Sequence, residues 1–600
     1  MVLVLLGFGV ALATVRGLED RVLLCLEVGQ ARLHGHRVAG GAAFVAAITL
    51  FPLLVFGPVG RWFELYSTRL LLFWVLVLAA SMTLSAVFRE RGLAEWLAFT
   101  GMTAAAVYLA ATYIPAISAY PFSMGWSEAS RYYFASLFFS DRVYGVHLPW
   151  PVLHPSRYIL QAIPFALGDL PLWFHRLWQV LLWLGMTLAG ALALQGRIRL
   201  HDALHRAIFV LWAFLFLFQG PVYYHLIPCA LIVLLSFDAK RPARSFLFVV
   251  MASLWAGISR INWVPIPGFL AAVLYVLEGE PGDVRISPLR YWVWPALWIV
   301  LGGLSGLAAN AGYVMVSGNP PEEFSSSFTS DLLWYRWLPN ATFPIGILPG
   351  ILLVSGPLLL ALGMRTKELR QTLGTLRVAA LGAMLLALFA GGAVVSTKIG
   401  GGGNLHNLDA YLVLLAALAS QVLLKQAAVI DQRRGGGSMC ASPWLAGLIL
   451  CVPVVWTLSS GASFSSRDVR AAEEALQTLR STVSEAVQQG GDVLFMSERH
   501  LLTFHMAGDV PLIAEYEKTY LMEMAMSRNQ TYLQRFYRDL QQKRFELVVA
   551  EPMRVVYYGS ARSFGDEDDT WVRAISEPFL EQYEPALMLD EFGIWVYAPK

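Results

Sequence analysis

Apolar residues run along most of this chain in long, nearly uninterrupted blocks, without the alternation of a half-buried strand. The blocks fall at 1–16, 39–60, 69–88, 95–115, 171–195, 205–218, 221–237, 244–258, 261–277, 291–316, 341–364, 378–396, 407–424 and 442–459. A helix crosses a bilayer with about 20 mainly apolar residues, and each block is read as a span, the shorter ones in pairs. The first block lacks a basic leader and a small-residue cleavage site, so it is read as a span and not as a removed signal peptide. After residue 460 the pattern changes. RAAEEALQTLRSTVSEAV (470–487) has the period of an amphipathic helix, while DVLFMS (492–497) and FELVVAE (545–551) read as short buried strands. Helical stretches lie between them, notably 520–542, and PALMLDEFGIWVYAP (585–599) reads as a closing hairpin. The pattern predicts a polytopic α-helical membrane protein of about 14 spans over 1–460, with a small soluble α/β domain over 461–600.

Composition supports lipid as the main solvent: 57% of residues are hydrophobic and 14% charged, against about 25% charged in soluble domains. The charge is also unevenly placed. From Ser465 to Lys600 there are 22 acidic and 14 basic residues, a net of −8, which leaves 30 basic and 20 acidic residues, a net of +10, for the rest. Loops rich in Lys and Arg stay cytoplasmic. RIRLHDALHR (197–206), DAKRPAR (238–244), RTKELRQTLGTLR (365–377) and KQAAVIDQRR (425–434) all fall on one side under this threading, and RRGGGS (433–438) is a linker on that side. The opposite side receives the loop 116–154, the turn at Arg260, the loop 317–340, the segment 396–409 and the tail. An acidic tail gives no support to nucleic-acid binding. Cys25, Cys229, Cys440 and Cys451 lie in or beside apolar blocks, so the tail has neither a disulfide framework nor a cysteine zinc site. No internal repeat marks a two-half transporter, and no phosphate-loop, HExxH or GxSxG motif is present. GDEDD (565–569) lacks the ligand spacing of a calcium loop and is read as solvated.

Three polar interruptions gather on the side opposite the basic loops. In MGWSEASRYYFASLFFSDRVYG (124–145), Glu128 and Arg131 share a helical face with Tyr132. A carboxylate there suits a general base or a ligand to a divalent ion beside a phosphate, and equally a plain surface ion pair. In KIGGGGNLHNLD (398–409), Gly400, Gly401, Gly402 and Gly403 have no evident packing use. They suit an anion nest backed by Lys398, with Asn404, His406 and Asp409 as short polar arms; the alternative is a flexible turn before a helix. GISRINWVPIPG (257–268) puts Arg260 and Asn262 between two short spans, where a charge either has a task or snorkels to the interface. FQGPVYYHLIP (218–228) adds Tyr223, Tyr224 and His225, which an interfacial aromatic belt explains equally well.

WSEASRYYFAS, the following YG…HPSRYILQAIPF and the KIGGGGNLHNLD block together resemble the GT-C superfamily of polyprenyl-phosphate-dependent glycosyltransferases, which includes protein O-mannosyltransferases and aminoarabinose transferases. The resemblance covers about 95 to 430, and the tail is similar to those of other large bacterial membrane proteins. It implies transfer of a sugar from a lipid-linked donor to a glycan, lipid or protein acceptor on the outer face of a bacterial plasma membrane, with the tail extracytoplasmic. The family's first outer loop carries an Asp-Glu pair. Ser127 and Glu128 stand there in this chain, so the base role falls to Glu128. Arg131, Arg260, Asn262, Lys398, Gly400–Gly403, Asn404, His406 and Asp409 would bind the donor. No metal site is predicted and no organic cofactor is implied; a divalent cation stays open. The rival reading is a transporter or flippase that binds a lipid-linked glycan without reacting.

Overall fold

The computed structural model describes residues 37–198, 200–279, 288–425, 443–461, 464 and 467–600. The predicted span 1–16, Cys25, Cys440, most of the basic segment 425–434 and the linker 433–438 lie outside the described residues. The chain divides into two compact units.

One unit comprises 1–114, 200–219 and 446–465. Its helices Arg37–Phe56, Tyr66–Val87 and Leu93–Ala111 pack through Phe51, Phe73 and Tyr108, all fully buried. At one end the Tyr108 hydroxyl donates to Ser460 O at 2.7 Å and the Arg69 guanidinium donates to Gly461 O. At another, Arg91 pairs with Asp202 and Glu95.

The other unit comprises 115–199, 220–445 and 466–600. Across the described residues, nine helices are long and apolar enough to cross a membrane by length and composition, and four apolar helices are shorter. All fall on predicted apolar blocks, as a multi-pass membrane protein requires. Two boundaries differ from the sequence reading. The block at 341–364 belongs to a helix, Ile347–Leu373, that continues through the basic segment read as a loop. Arg365, Lys367 and Glu368 are good helix formers, and Arg365 pairs with Glu368 at 3.1 Å. Hydropathy marks where lipid ends, not where the helix ends; Gly374, at φ 87°, ends it, and Thr375–Ser396 follows. The block at 221–237 is helical only from Ile227 to Ser236, because the preceding GPVYYH forms a turn. Glycines let the helices close together: a Cβ on Gly257 would sit 2.0 Å from Gly306 O, the small-residue contact that membrane helices use.

The tail folds as an α/β layer. Strands β1 (Val493–Phe495), β2 (Leu547–Ala550), β3 (Tyr583–Leu589) and β4 (Ile594–Pro599) form a sheet of order β1-β2-β4-β3. β1 and β2 are parallel, and β4 is antiparallel to both β2 and β3. Alternation along the strands assigns two cores. Val493, Phe495, Val549 and Val596 face the helix Val469–Gln488 through Ala472, Leu479 and Val483. Leu494, Val548, Ala550 and Tyr597 face the crossover helices Lys518–Met526 and Gln530–Gln541. The predicted strands and hairpin are all present.

This unit also brings together the segments that charge asymmetry placed on one side. Leu333 N–H donates to Thr397 O at 2.6 Å, Ile399 N–H to Asp331 O at 2.9 Å, and Ser156 N–H to Ile258 O at 3.0 Å. The tail joins them through Glu498, which accepts from Ser123 N–H at 2.8 Å.

Candidate functional site

Glu128 opens the short helix Glu128–Ser136, where the helix dipole favours a carboxylate. It is 6% exposed and faces inward. Arg176 grips it with two bonds: Nε to Oε1 at 3.0 Å and Nη2 to Oε2 at 3.2 Å. Met124 N–H adds a third at 2.6 Å. The same guanidinium donates to the carbonyls of Ser118, Tyr120 and Phe122, so the pair ties the loop entry to the helix Leu172–Gly196. Burial pushes the Glu128 carboxyl up, but Arg176 and the Met124 N–H outweigh it and hold the group below the usual carboxylate range. Such a carboxylate accepts a proton poorly. The surface pair with Arg131 is absent; Arg176 takes that place.

The glycine block does hold an anion, and that anion belongs to the protein. Gly400 N–H donates to Glu567 Oε1 at 2.8 Å, and Glu567 Oε2 accepts from the buried Arg336 at 2.7 Å. Lys398 Nζ pairs with Glu523 of the tail at 2.7 Å. The glycines also have the packing use that the sequence did not reveal. A Cβ on Gly403 would lie 2.5 Å from Thr342 O, and one on Gly402, at φ 79°, would lie 2.8 Å from the His406 ring. The block is a close-packed junction with the tail. Asn404 caps its own turn, accepting from His406 N–H at 2.9 Å.

A different set of side chains converges on Tyr223. The Arg260 guanidinium lies 4.7 Å from its ring centre and that of Arg157 5.2 Å. The rings of His225 and His406 each lie 5.7 Å from it, and His154 is 6.2 Å from His225. Arg157 sits on the helix Pro155–Gln161, which starts with proline at its first position. His154, just before it, takes a left-handed φ of 48° that turns the chain into the cluster. Arg260 ends a turn after the helix Pro242–Gly257, and Asp409 opens the helix Asp409–Ser420 opposite. Asn262 Nδ2 donates to Asn407 O at 3.3 Å and fixes that turn to the glycine segment.

The charges in this cluster do not balance. Asp409 is fully buried, accepts from Trp263 Nε1 at 2.8 Å, and stands 3.7 Å from Arg260. Its Oδ2 and the facing Arg260 Nη1 both lack a hydrogen bond. Neither Arg157 nor Arg131 makes an ion pair with a described carboxylate, and the Nε atom of each is buried without a hydrogen-bond partner. Burial together with Arg260 and Arg157 pushes His154 down to about 3 and His225 well below its ordinary value, so both stay neutral and the arginines carry the charge. Arg157, Arg260, His154, His406 and Tyr223 all keep part of their surface accessible. Half-buried cations in excess are costly unless an anion completes them.

No family model matches the chain, and no curated protein matches it. Among the described residues no cluster of three His, Cys, Asp or Glu side chains is placed to hold a metal. Of the predicted site residues, Arg260, His406 and Asp409 meet in one cluster, with Asn262 behind them. Lys398 and Gly400 are engaged by the tail, and Glu128 is engaged by Arg176. Arg157 and His154 were missed, although both stand in the HPSRYILQ stretch that carries the family resemblance.

Proposed function

We propose that the chain binds the phosphate of a polyprenyl-phosphate sugar in the plasma membrane of a bacterium, with the tail on the outer side, and transfers the sugar to a glycan, lipid or protein hydroxyl. The excess of positive charge around Tyr223 carries this reading. In the transfer the acceptor oxygen bonds to the anomeric carbon while the sugar–phosphate bond breaks, the phosphate leaves with the electron pair, and the hydroxyl proton is released to water. Its charge grows as it leaves, so Arg157 and Arg260 would bind the departing group more tightly than the donor, the condition for lowering a barrier. Tyr223 holds both guanidiniums by cation–π contact. Glu128 serves this reading as the anchor of the loop with Arg176, and not as the proton acceptor.

The test is direct. The full chain in lipid nanodiscs is given a synthetic polyprenyl-phosphate mannose, glucose or aminoarabinose together with methyl glycosides as acceptors, and release of the free polyprenyl phosphate is followed. Release that depends on Arg157 supports transfer. Binding without release by all three donors favours the second reading, a flippase or binding protein for a lipid-linked glycan, to which the ion-paired state of Glu128 lends weight.

A further inference from the structure

The tail carries a cavity of about 200 Å³ that the reading above leaves unused. It lies just beyond the carboxyl ends of the parallel strands β1 and β2, lined by Met496 and Ser497 after β1 and by Glu551 to Arg554 after β2. Ligands of open α/β sheets bind in this position, because the strand-to-helix connections open there. Its polar lining is mixed in sign. Lys518 and Glu551 pair with each other, while the side chains of Asp568 and Arg554 carry no hydrogen-bonded partner among the described residues. Ser497 is 4% exposed, and its hydroxyl has no hydrogen-bond partner. Trp571 forms an aromatic wall.

The chemistry narrows the ligand. Two acids and two bases leave no net charge to attract a phosphate or a cation. Carboxylate and guanidinium groups do make paired hydrogen bonds, to which vicinal hydroxyls are suited, and a tryptophan offers a flat apolar face for a sugar's C–H surface. The volume is below the about 300–1,000 Å³ of sites for drug-sized ligands, which leaves room for one ring. We infer that this cavity is a subsite for a single neutral sugar unit of a glycan acceptor, held by Asp568, Arg554 and Ser497 against Trp571. The inference rests on the proposal that the chain handles glycans.

Saturation-transfer NMR on the full chain in nanodiscs tests it, with the methyl glycosides of glucose, galactose, mannose and N-acetylglucosamine as probes. At least one should receive saturation. Its affinity should fall about tenfold in Asp568→Asn and in Arg554→Ala, the loss of one good polar contact in each case. Glu473→Gln, on the exposed face of the helix Val469–Gln488, should leave it unchanged. Arg554 is exposed, so its variant removes no buried support. No saturation of any probe by the wild-type chain overturns the inference, as does equal saturation in wild type and both variants. Polyprenyl phosphate binding is measured on the same samples. Retained lipid binding without a sugar signal refutes the subsite alone, whereas loss of lipid binding by the wild-type chain refutes the donor-site proposal.

Discussion

Arg157→Gln is the most informative single change. Arg157 is partly accessible, makes no ion pair with a described carboxylate, and stands over the Tyr223 ring. Its removal therefore relieves local repulsion among cations instead of orphaning a buried acid, and folding should survive. A charge-assisted hydrogen bond contributes about 1.5–3 kcal/mol. Affinity for polyprenyl phosphate should accordingly drop about 10- to 150-fold. Arg157→Lys keeps a point charge but loses the planar fork and its stacking on the ring, and should recover only part of the loss. Arg260→Gln is a poorer probe, because it also strips Asp409 of its nearest cation, 3.7 Å away; pairing it with Asp409→Asn separates the two effects. Native mass spectrometry of nanodisc-held protein across a lipid titration measures all four. Unchanged affinity in a folded Arg157→Gln protein would refute the anion site.

Glu128→Gln should lower thermal stability, since removing one partner of a buried pair typically costs about 3–5 kcal/mol; Glu128→Gln with Arg176→Met should recover part of it in the same melt. A double-mutant cycle on Lys398 and Glu523 should give a coupling of about 0.5–3 kcal/mol in stability, with polyprenyl phosphate affinity unchanged by Lys398→Ala. Gly403→Ala, which drives a methyl to 2.5 Å from Thr342 O, should destabilise by about 1–3 kcal/mol by urea titration. His154 gives a pH dependence. Its folded value, about 3, lies below the unfolded value of about 6.5, so the unfolded chain binds more protons between the two. Stability should therefore fall as pH drops below about 6.5, by about 1 kcal/mol for the first unit, and the slope in a melting series should be shallower in His154→Asn.

What could be read from the sequence was whatever depends on composition over a window. Lipid-length helices show themselves through sustained hydropathy, and the strands at 493–495 and 547–550 through short β-branched runs between helical segments. Partnership is a different matter. Arg176 stands in an apolar block, 48 residues beyond Glu128, and nothing local marks it as the carboxylate's partner. Glu567 and Glu523 lie more than a hundred residues from the Gly400 and Lys398 they bind, the first in GDEDD, which reads as a solvated loop, the second in a stretch that reads only as a helix. A cluster of glycines beside a lysine does signal an anion, but sequence cannot say whether that anion comes from a ligand or from the chain.

That ambiguity bears on how the unit is organised. Two anion-attracting features lie close along the chain: the glycine–lysine block from Lys398 to Gly403, and the arginines around Tyr223 that His406 and Asp409 approach from the same segment. The first is satisfied by tail carboxylates and fixes where the segment runs. The second is left with positive charge in excess. The tail supplies Glu523 and Glu567 to the first, from the 22 acids in its last 136 residues, and no described carboxylate pairs with Arg157; under the proposal that cation meets the donor phosphate. The tail neutralises the junction and leaves the arginines open, which is the arrangement expected of a scaffold that holds its own loops rigid around an external anion.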